Sequence, residues 1–265
     1  NNIESEVIVS NVDEDEIKIS LLAEGADPLL ISKNLAEIKS IKVSNKNPDR
    51  LVLGADSVIS LNDQLINKPR SRKEALDILK KLGIEVRYAD PSDPKNFEKA
   101  IDDRTRCFYA ETLPNPALRV FPIKEVSDIG RKHNIPLIMD NTAAPVICKP
   151  LDHGAAVVVH SLTKFIGGHG TVIGGCLVDG GNFDWTADPK RQPLFNEPDM
   201  SYGGAKWGEV VPQLTGANVS FAVRARVCLL RDLGAPLAPD NAWGIIQGLE
   251  TAPLRMKQHC SNAEK

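Results

Sequence analysis

The chain of 265 residues has no apolar run approaching the ~20 residues that a membrane helix needs, which argues against a membrane span. Its first residues, NNIESEVIVS, lack a basic region followed by a long apolar one, so no signal peptide is read there. Neither sign of charge dominates. With 32 basic and 35 acidic residues the net charge is −3, and there is no electrostatic case for nucleic acid or an anionic membrane as partner. The five cysteines, at 107, 148, 176, 228 and 260, are odd in number and show no CxxC spacing. That argues against a disulfide framework and against a zinc site. Free thiols in a cytoplasmic protein are the simpler reading. Internal repeats, low-complexity segments and a Gly/Ser/Pro-rich linker are also missing.

What is present is ordinary for a soluble globular chain: 42% hydrophobic and 25% charged residues, with length enough for one large or two small domains. Residues 1–82 read differently from the rest. Glu6–Val9 suits a strand. Asp27 before Pro28 supplies a helix cap and a first-turn proline, and Ile31, Leu35, Ile38 and Lys42 share one mostly apolar stripe, predicting a helix from about Pro28 to Val43. Leu51–Gly54 suits a buried strand that ends at Asp56. Ser71 and Glu74 form a capping box, followed by a helix with Ala75, Ile78, Leu79 and Leu82 on one face.

From Gly83 the pattern alternates between strand and helix. Strands are expected at Ile84–Tyr88, Cys107–Ala110, Ile135–Met139, Ala155–Val159 and Thr171–Val178. Helices are expected at Asn96–Ile101, around Ile123, Val126 and Ile129, at Ala217–Leu233 and at Asn241–Leu249. Such alternation predicts an α/β fold with a mostly parallel sheet and helices on both faces, here joined to an N-terminal α/β fragment. Trp185, Trp207 and Trp243 read as core.

The stretch from Ile135 to Gly181 organises the rest. Two short apolar runs rich in Val and Ile suit buried parallel strands, and each is followed at once by polar residues. One strand delivers Asp140. The next delivers His160, Ser161, Thr163 and Lys164, ahead of glycines 167, 168, 170, 174 and 175, which let a backbone approach a ligand closely. In open α/β sheets, ligands bind at these carboxyl ends. An acid and a lysine at neighbouring strand ends, with hydroxyls beside the lysine, suit pyridoxal phosphate. A lysine amine forms a Schiff base with its aldehyde, and an acid partners the pyridinium nitrogen. Taken singly each residue has a plainer reading: Asp140 as a turn or cap residue, Lys164 as a solvated side chain. His160 and His169 read as packing or hydrogen-bonding residues, since no second ligand stands at metal spacing.

MDNT followed by VVHSLTKFIGGHGTVIGG resembles the cystathionine gamma-synthase-like, pyridoxal-phosphate-dependent transsulfuration family. GIEVRYADPSDPKNFEKAIDD, ETLPNPALRVFPI, FNEPDMSYGG and QGLETAPLRMKQHCSNA are most similar to its O-acetylhomoserine sulfhydrylase branch. The resemblance covers about residues 80–265. It implies the large domain of a fold-type-I pyridoxal enzyme over 83–265 and a homo-oligomer acting on a small amino-acid substrate. Lys164 would be the cofactor-bearing lysine and acid/base, and Asp140 the partner of the ring nitrogen. Ser161 and Thr163 would hold the phosphate. Asn115 would lie near the cofactor's phenolic oxygen or the substrate carboxylate, although before Pro116 it also reads as a turn residue. The implied reaction is gamma-replacement, in which acetate leaves O-acetylhomoserine and sulfide adds to give homocysteine.

Residues 1–82 resemble a different family, the Maf-like nucleotide pyrophosphatases, through VDEDEIKISLLAEGADP, LAEIKSIKVS and LVLGADSVISLNDQLINKP. That resemblance implies Asp56 as catalytic acid or base or as a ligand to a divalent metal, with Glu14, Lys39 and Lys68 around the phosphates. The two texts meet near Leu79–Gly83. Each pattern is incomplete: the Maf-like one lacks its Ser-x-Arg stretch. The transsulfuration one lacks its Gly-rich phosphate loop, its ring-stacking tyrosine and the arginine that binds the substrate carboxylate. The expectation is a junction of two gene fragments whose sulfhydrylase activity is impaired. A nucleotide pyrophosphatase and a non-catalytic chimera stand as alternatives.

Overall fold

In this computed structural model the described residues are 8–265, apart from 55, 57, 62, 63, 67, 68, 70, 116 and 235; the side chains of 59, 61, 64, 72 and 233 are likewise not described. The chain divides into two compact units, residues 1–86 and 87–265.

The first unit begins with helix α1 (Glu14–Ala23), whose Asp13 carboxylate accepts from the Glu16 N–H at 3.2 Å. Helix α2 (Pro28–Ser44) starts as the sequence predicts, with the Asp27 carboxylate accepting from the Leu30 N–H at 2.7 Å. Its buried stripe is Ile31, Leu35 and Val43, while Lys42 is exposed and donates to the Asn11 carbonyl. A short hairpin follows, β1 (Ile59–Leu61) antiparallel to β2 (Gln64–Ile66), and then helix α3 (Arg72–Lys81), capped by the Ser71 hydroxyl.

One expected strand fails here, and another lies partly outside the described residues. Leu51–Gly54 forms no ladder among the described residues, and Leu51 and Leu53 stand 103% and 94% exposed. Gly54 instead lies against α2, so close that a Cβ there would collide with the Ala36 carbonyl and the Ser40 side chain. An apolar tetrapeptide becomes a buried strand only where neighbours pair with it on each side. Of Glu6–Val9, residues 6 and 7 lie outside the described set, and Ile8 and Val9 have no regular structure.

The second unit is built on a sheet ordered β3-β4-β5-β6. Helix α4 (Lys95–Lys99) precedes β3 (Phe108–Glu111), helix α5 (Ile123–Lys132) leads into β4 (Leu137–Asp140), and β5 (Val157–Ser161) is followed by β6 (Gly175–Asp179). β3, β4 and β5 run parallel, whereas β6 returns antiparallel to β5. Ile84–Tyr88, expected as a strand, forms no ladder among the described residues; Ile84 and Tyr88 are exposed. Arg87 is held by side-chain bonds instead, to Asp102 at 2.6 Å and the Ala100 carbonyl at 2.7 Å.

Period-two alternation divides the strand residues between two cores. Leu137, Met139 and Val158 pack with Phe97 of α4, Ile123 and Val126 of α5, and Phe108 and Phe121. Ile138 and Val157 pack on the opposite face with Trp185, and with residues of helices α6 (Pro193–Asn196) and α7 (Trp207–Thr215). Helices thus cover both faces, as predicted. Trp185 sits among Phe183, Phe195 and Phe221 at ring separations of 4.8, 4.4 and 5.3 Å.

The expected helix over 217–233 begins later and is not uniform. It comprises α8 (Ser220–Arg224), a π-helical stretch Ala225–Leu230, and α9 (Arg231–Leu233). The last helix, α10 (Pro239–Ala263), continues well past Leu249 and through Pro253. Trp185 and Trp207 are buried, but Trp243 on α10 is 64% exposed and is not core.

Met139, fully buried in the central strand, gives a direct test of this packing. Met139→Ala should cost about 2–5 kcal/mol in urea unfolding. Leu254→Ala, at an exposed position on α10, should stay within about 0.5 kcal/mol of the parent.

Candidate active site

Three parallel strands end together. Register pairs Glu111 of β3 with Asp140 of β4, and Asp140 with Val159 of β5, so that Ser161 and the lysine turn emerge beside the acid's strand. The ladder continues just past the strand ends: the Thr112 N–H donates to the Asp140 carbonyl, and the Asn141 N–H to the Val159 carbonyl, both at 2.9 Å.

The Asp140 side chain is held from two sides. Oδ1 accepts from the Thr142 N–H at 2.9 Å, and Oδ2 accepts from the Tyr109 hydroxyl at 3.3 Å. Thr142 then joins the two strand ends, because its Oγ1 accepts from the Ser161 N–H at 2.8 Å. The Tyr109 phenol is pushed up to about 12, first by partial burial and then by the charge and hydrogen bond of Asp140 and the charge of Glu111. It therefore stays protonated, and donates, at neutral pH. Burial pushes the His160 imidazole below its ordinary value, with the Asp140 charge pulling the other way.

The lysine turn is tightly wound. Leu162 N–H donates to the Gly174 carbonyl at 2.9 Å, Gly167 N–H to the Leu162 carbonyl at 2.8 Å, and Gly168 N–H to the Lys164 carbonyl at 2.8 Å. A Cβ at Gly167 would lie 2.7 Å from the Leu162 oxygen, and Gly168 has φ +77°, a left-handed conformation that favours glycine. Lys164 is exposed, and among the described residues no ion pair engages its amine. The Thr163 hydroxyl accepts from the Gly174 N–H at 3.1 Å, which ties the turn to the start of β6. The Ser161 hydroxyl has no protein partner among the described residues. Asn115 is anchored to the same sheet end, its N–H donating to Glu111 Oε2 at 3.1 Å.

The structure therefore brings Asp140, Ser161, Thr163, Lys164 and Asn115 to one edge. Asp56 belongs to the other unit, where Lys39 bridges it at 3.1 Å to Glu14 at 2.7 Å. Burial and the two acids act oppositely on Lys39, whose net shift is upward, led by its bond to Glu14. Lys68 lies outside the described residues. An open cleft of about 630 Å³ between β2 and α3 is lined, among the described residues, by Leu65, Ile78 and Lys81 with four others, and not by Glu14, Lys39 or Asp56. Among the described residues no cluster of three or more His, Cys, Asp or Glu side chains is placed to hold a metal ion. No helix of the described residues is long and apolar enough to cross a membrane.

Tyr109 and Thr142 were not singled out by sequence. Thr142 had a signal, since an Asp two residues before a backbone N–H is a turn pattern. Tyr109 had none, because its contact with Asp140 spans 31 residues of chain.

If Asp140 faces the phenol as described, Asp140→Asn should lower the Tyr109 pKa from about 12 toward its ordinary value, while burial keeps it elevated. The check is a tyrosinate absorbance titration, with Tyr109→Phe identifying the contribution of this ring. An unmoved titration would show that the pair does not form.

Comparison with known proteins shows which family the chain resembles. Residues 15–265 match the family model described as Cys/Met metabolism PLP-dependent enzyme. The O-acetyl-L-homoserine sulfhydrylase of Leptospira meyeri is 52% identical over 189 residues, covering 70% of this chain and 42% of that protein. A sulfhydrylase of Gibberella moniliformis is 36% identical over 268 residues, covering 100% of this chain and 58% of its own. Among solved structures, one from Campylobacter jejuni has a TM-score of 0.64 at 40% identity, over 71% of this chain and 45% of that one. It is described as an O-acetylhomoserine (thiol)-lyase and contains a pyridoxyl-lysine phosphate residue. The chain spans about half the length of the curated relatives it matches.

Proposed function

We propose a function from one premise: the chain belongs to the Cys/Met metabolism pyridoxal-phosphate-dependent enzyme family. Within it, Lys164 carries pyridoxal phosphate and the protein catalyses gamma-replacement on O-acetylhomoserine, exchanging acetate for sulfide to give homocysteine. The observation that carries this reading is the lysine turn, with its exposed Lys164 side chain, at the same parallel-strand end as a doubly held acid. The names of the Leptospira and Campylobacter relatives support the substrate.

The residues suit the group chemically. When bound, pyridoxal phosphate supplies an aldehyde that captures amines and a ring that withdraws electrons. The Lys164 amine would hold the group and, when free, would move protons on the substrate. Asp140 would keep a proton on the ring nitrogen; Thr142 and Tyr109 fix its two oxygens for that task. Ser161 and Thr163 would offer hydroxyls to the phosphate; Thr163 accepts from the Gly174 N–H at 3.1 Å and donates to the Gly174 carbonyl only at 3.4 Å, a long bond that the phosphate would replace. Asn115 would lie near the cofactor's phenolic oxygen or the substrate carboxylate. The enzyme is a homo-oligomer of the cytoplasm, a placement supported by its five free cysteines.

The Maf-like resemblance of residues 1–82 gives a second reading, a nucleoside triphosphate pyrophosphatase acting through Asp56 with a divalent metal. The Glu14–Lys39–Asp56 cluster favours it. It ranks second because the family match, starting at residue 15, overlaps the same stretch. Magnesium- or manganese-dependent hydrolysis of nucleoside triphosphates, lost in Asp56→Asn, would support it; no hydrolysis would remove it.

For the main reading, Asp140→Asn should leave the fold intact and weaken pyridoxal phosphate binding in an absorbance titration. Equal affinity in the variant would strip the acid of its role. Adding O-acetylhomoserine should perturb the spectrum of the loaded protein. A response to cystathionine without one to O-acetylhomoserine would contradict the proposed substrate.

A further inference from the structure

The lysine turn is secured from outside by one side chain, Arg255 of α10. Its Nη1 donates to the Phe165 carbonyl at 2.6 Å and its Nη2 to the Ile166 carbonyl at 3.0 Å. These are the two residues that directly follow Lys164. The rest of the guanidinium is anchored on its own helix: Nη2 also donates to the Gly248 carbonyl at 2.6 Å, and Nε to the Thr251 hydroxyl at 3.0 Å. Every partner is a neutral oxygen, and among the described residues no carboxylate pairs with Arg255. A planar fork of donors can bridge helix to turn in this way, whereas a single ammonium cannot.

The approach of helix to turn is built for this bridge. Ile245, Gly248, Ala252 and Met256 form the buried stripe of α10. A Cβ at Gly248 would fall 2.3 Å from the Gly167 oxygen, so only glycine lets the helix come this near. On the other side, a Cβ at Gly168 would strike the guanidinium at 2.5 Å. One turn beyond Arg255, the His259 ring meets Phe165 edge-on at 5.2 Å.

We infer that Arg255 is a positioning residue for the reactive lysine: it fixes the two carbonyls after Lys164 and so sets the curvature from which the amine projects. The inference rests on the proposed role of Lys164, but the ordering of the turn is measurable without cofactor.

The test compares the full chain with Arg255→Ala and Arg255→Lys. In the cofactor-free protein, the amides of Gly167 and Gly168 should exchange roughly tenfold faster or more in both variants, the worth of a lost charge-assisted hydrogen bond. The amides of β4 should be unaffected. Pyridoxal phosphate affinity should fall by a similar factor, and added guanidinium ion should restore turn protection and affinity in Arg255→Ala, which a merely structural role would not produce. Should Arg255→Ala fail to fold, Arg255→Lys, which keeps the stem and charge, decides. Unchanged exchange at Gly167 and Gly168 in a folded variant would overturn the inference, as would lost affinity that guanidinium does not restore in folded Arg255→Ala. A parent chain that binds no cofactor would count against the functional reading alone, since the exchange result still decides whether Arg255 orders the turn.

Discussion

The hydrogen bond from the Asn141 N–H to the Val159 carbonyl is the last rung joining the strand that ends in Asp140 to the strand that ends in Ser161. Two further bonds extend that alignment past the ladder. Thr142 donates its N–H to the acid and accepts the Ser161 N–H on its hydroxyl. Acid and lysine turn are therefore placed by backbone register, with side chains locking what register provides. Sites built on strand ends hold geometry better than sites on loops, and misplacement by ~1 Å can cost a hundredfold in rate.

That register depends in turn on burial on both faces. Met139 and Val158 face one core; Ile138 and Val157 face the other. A slip of one residue in β4 would exchange these sets and turn Asp140 toward the wrong face. The aromatic cluster around Trp185 and the Phe97–Phe108–Phe121 group fill the two layers, and edge-to-face contacts in each fix the side chains. On the turn itself the constraint passes from backbone to the Arg255 fork, where α10 comes close only because Gly248 has no side chain.

Much of this was legible in the sequence. Ile135–Met139 and Ala155–Val159, each followed by polar residues, announced two parallel strands and the residues they deliver. Asp27-Pro28 and Ser71 announced helix starts that the structure reproduces. Leu51–Gly54 and Ile84–Tyr88 were misread because apolarity does not reveal whether a pairing strand exists. Trp243 was misread because size and apolarity do not say which side of a helix is covered. Tyr109 and Arg255 escaped for a different reason. Their partners lie 31 and about 90 positions away, distances over which spacing carries no signal.

The central claim is that Lys164 is the residue that bears pyridoxal phosphate. Purified protein incubated with the cofactor should absorb in the visible range, and borohydride should abolish that band while fixing a pyridoxyl group that peptide mapping assigns to Lys164. A label on Lys149 or Lys206 instead, or no label on a folded chain, would contradict the account.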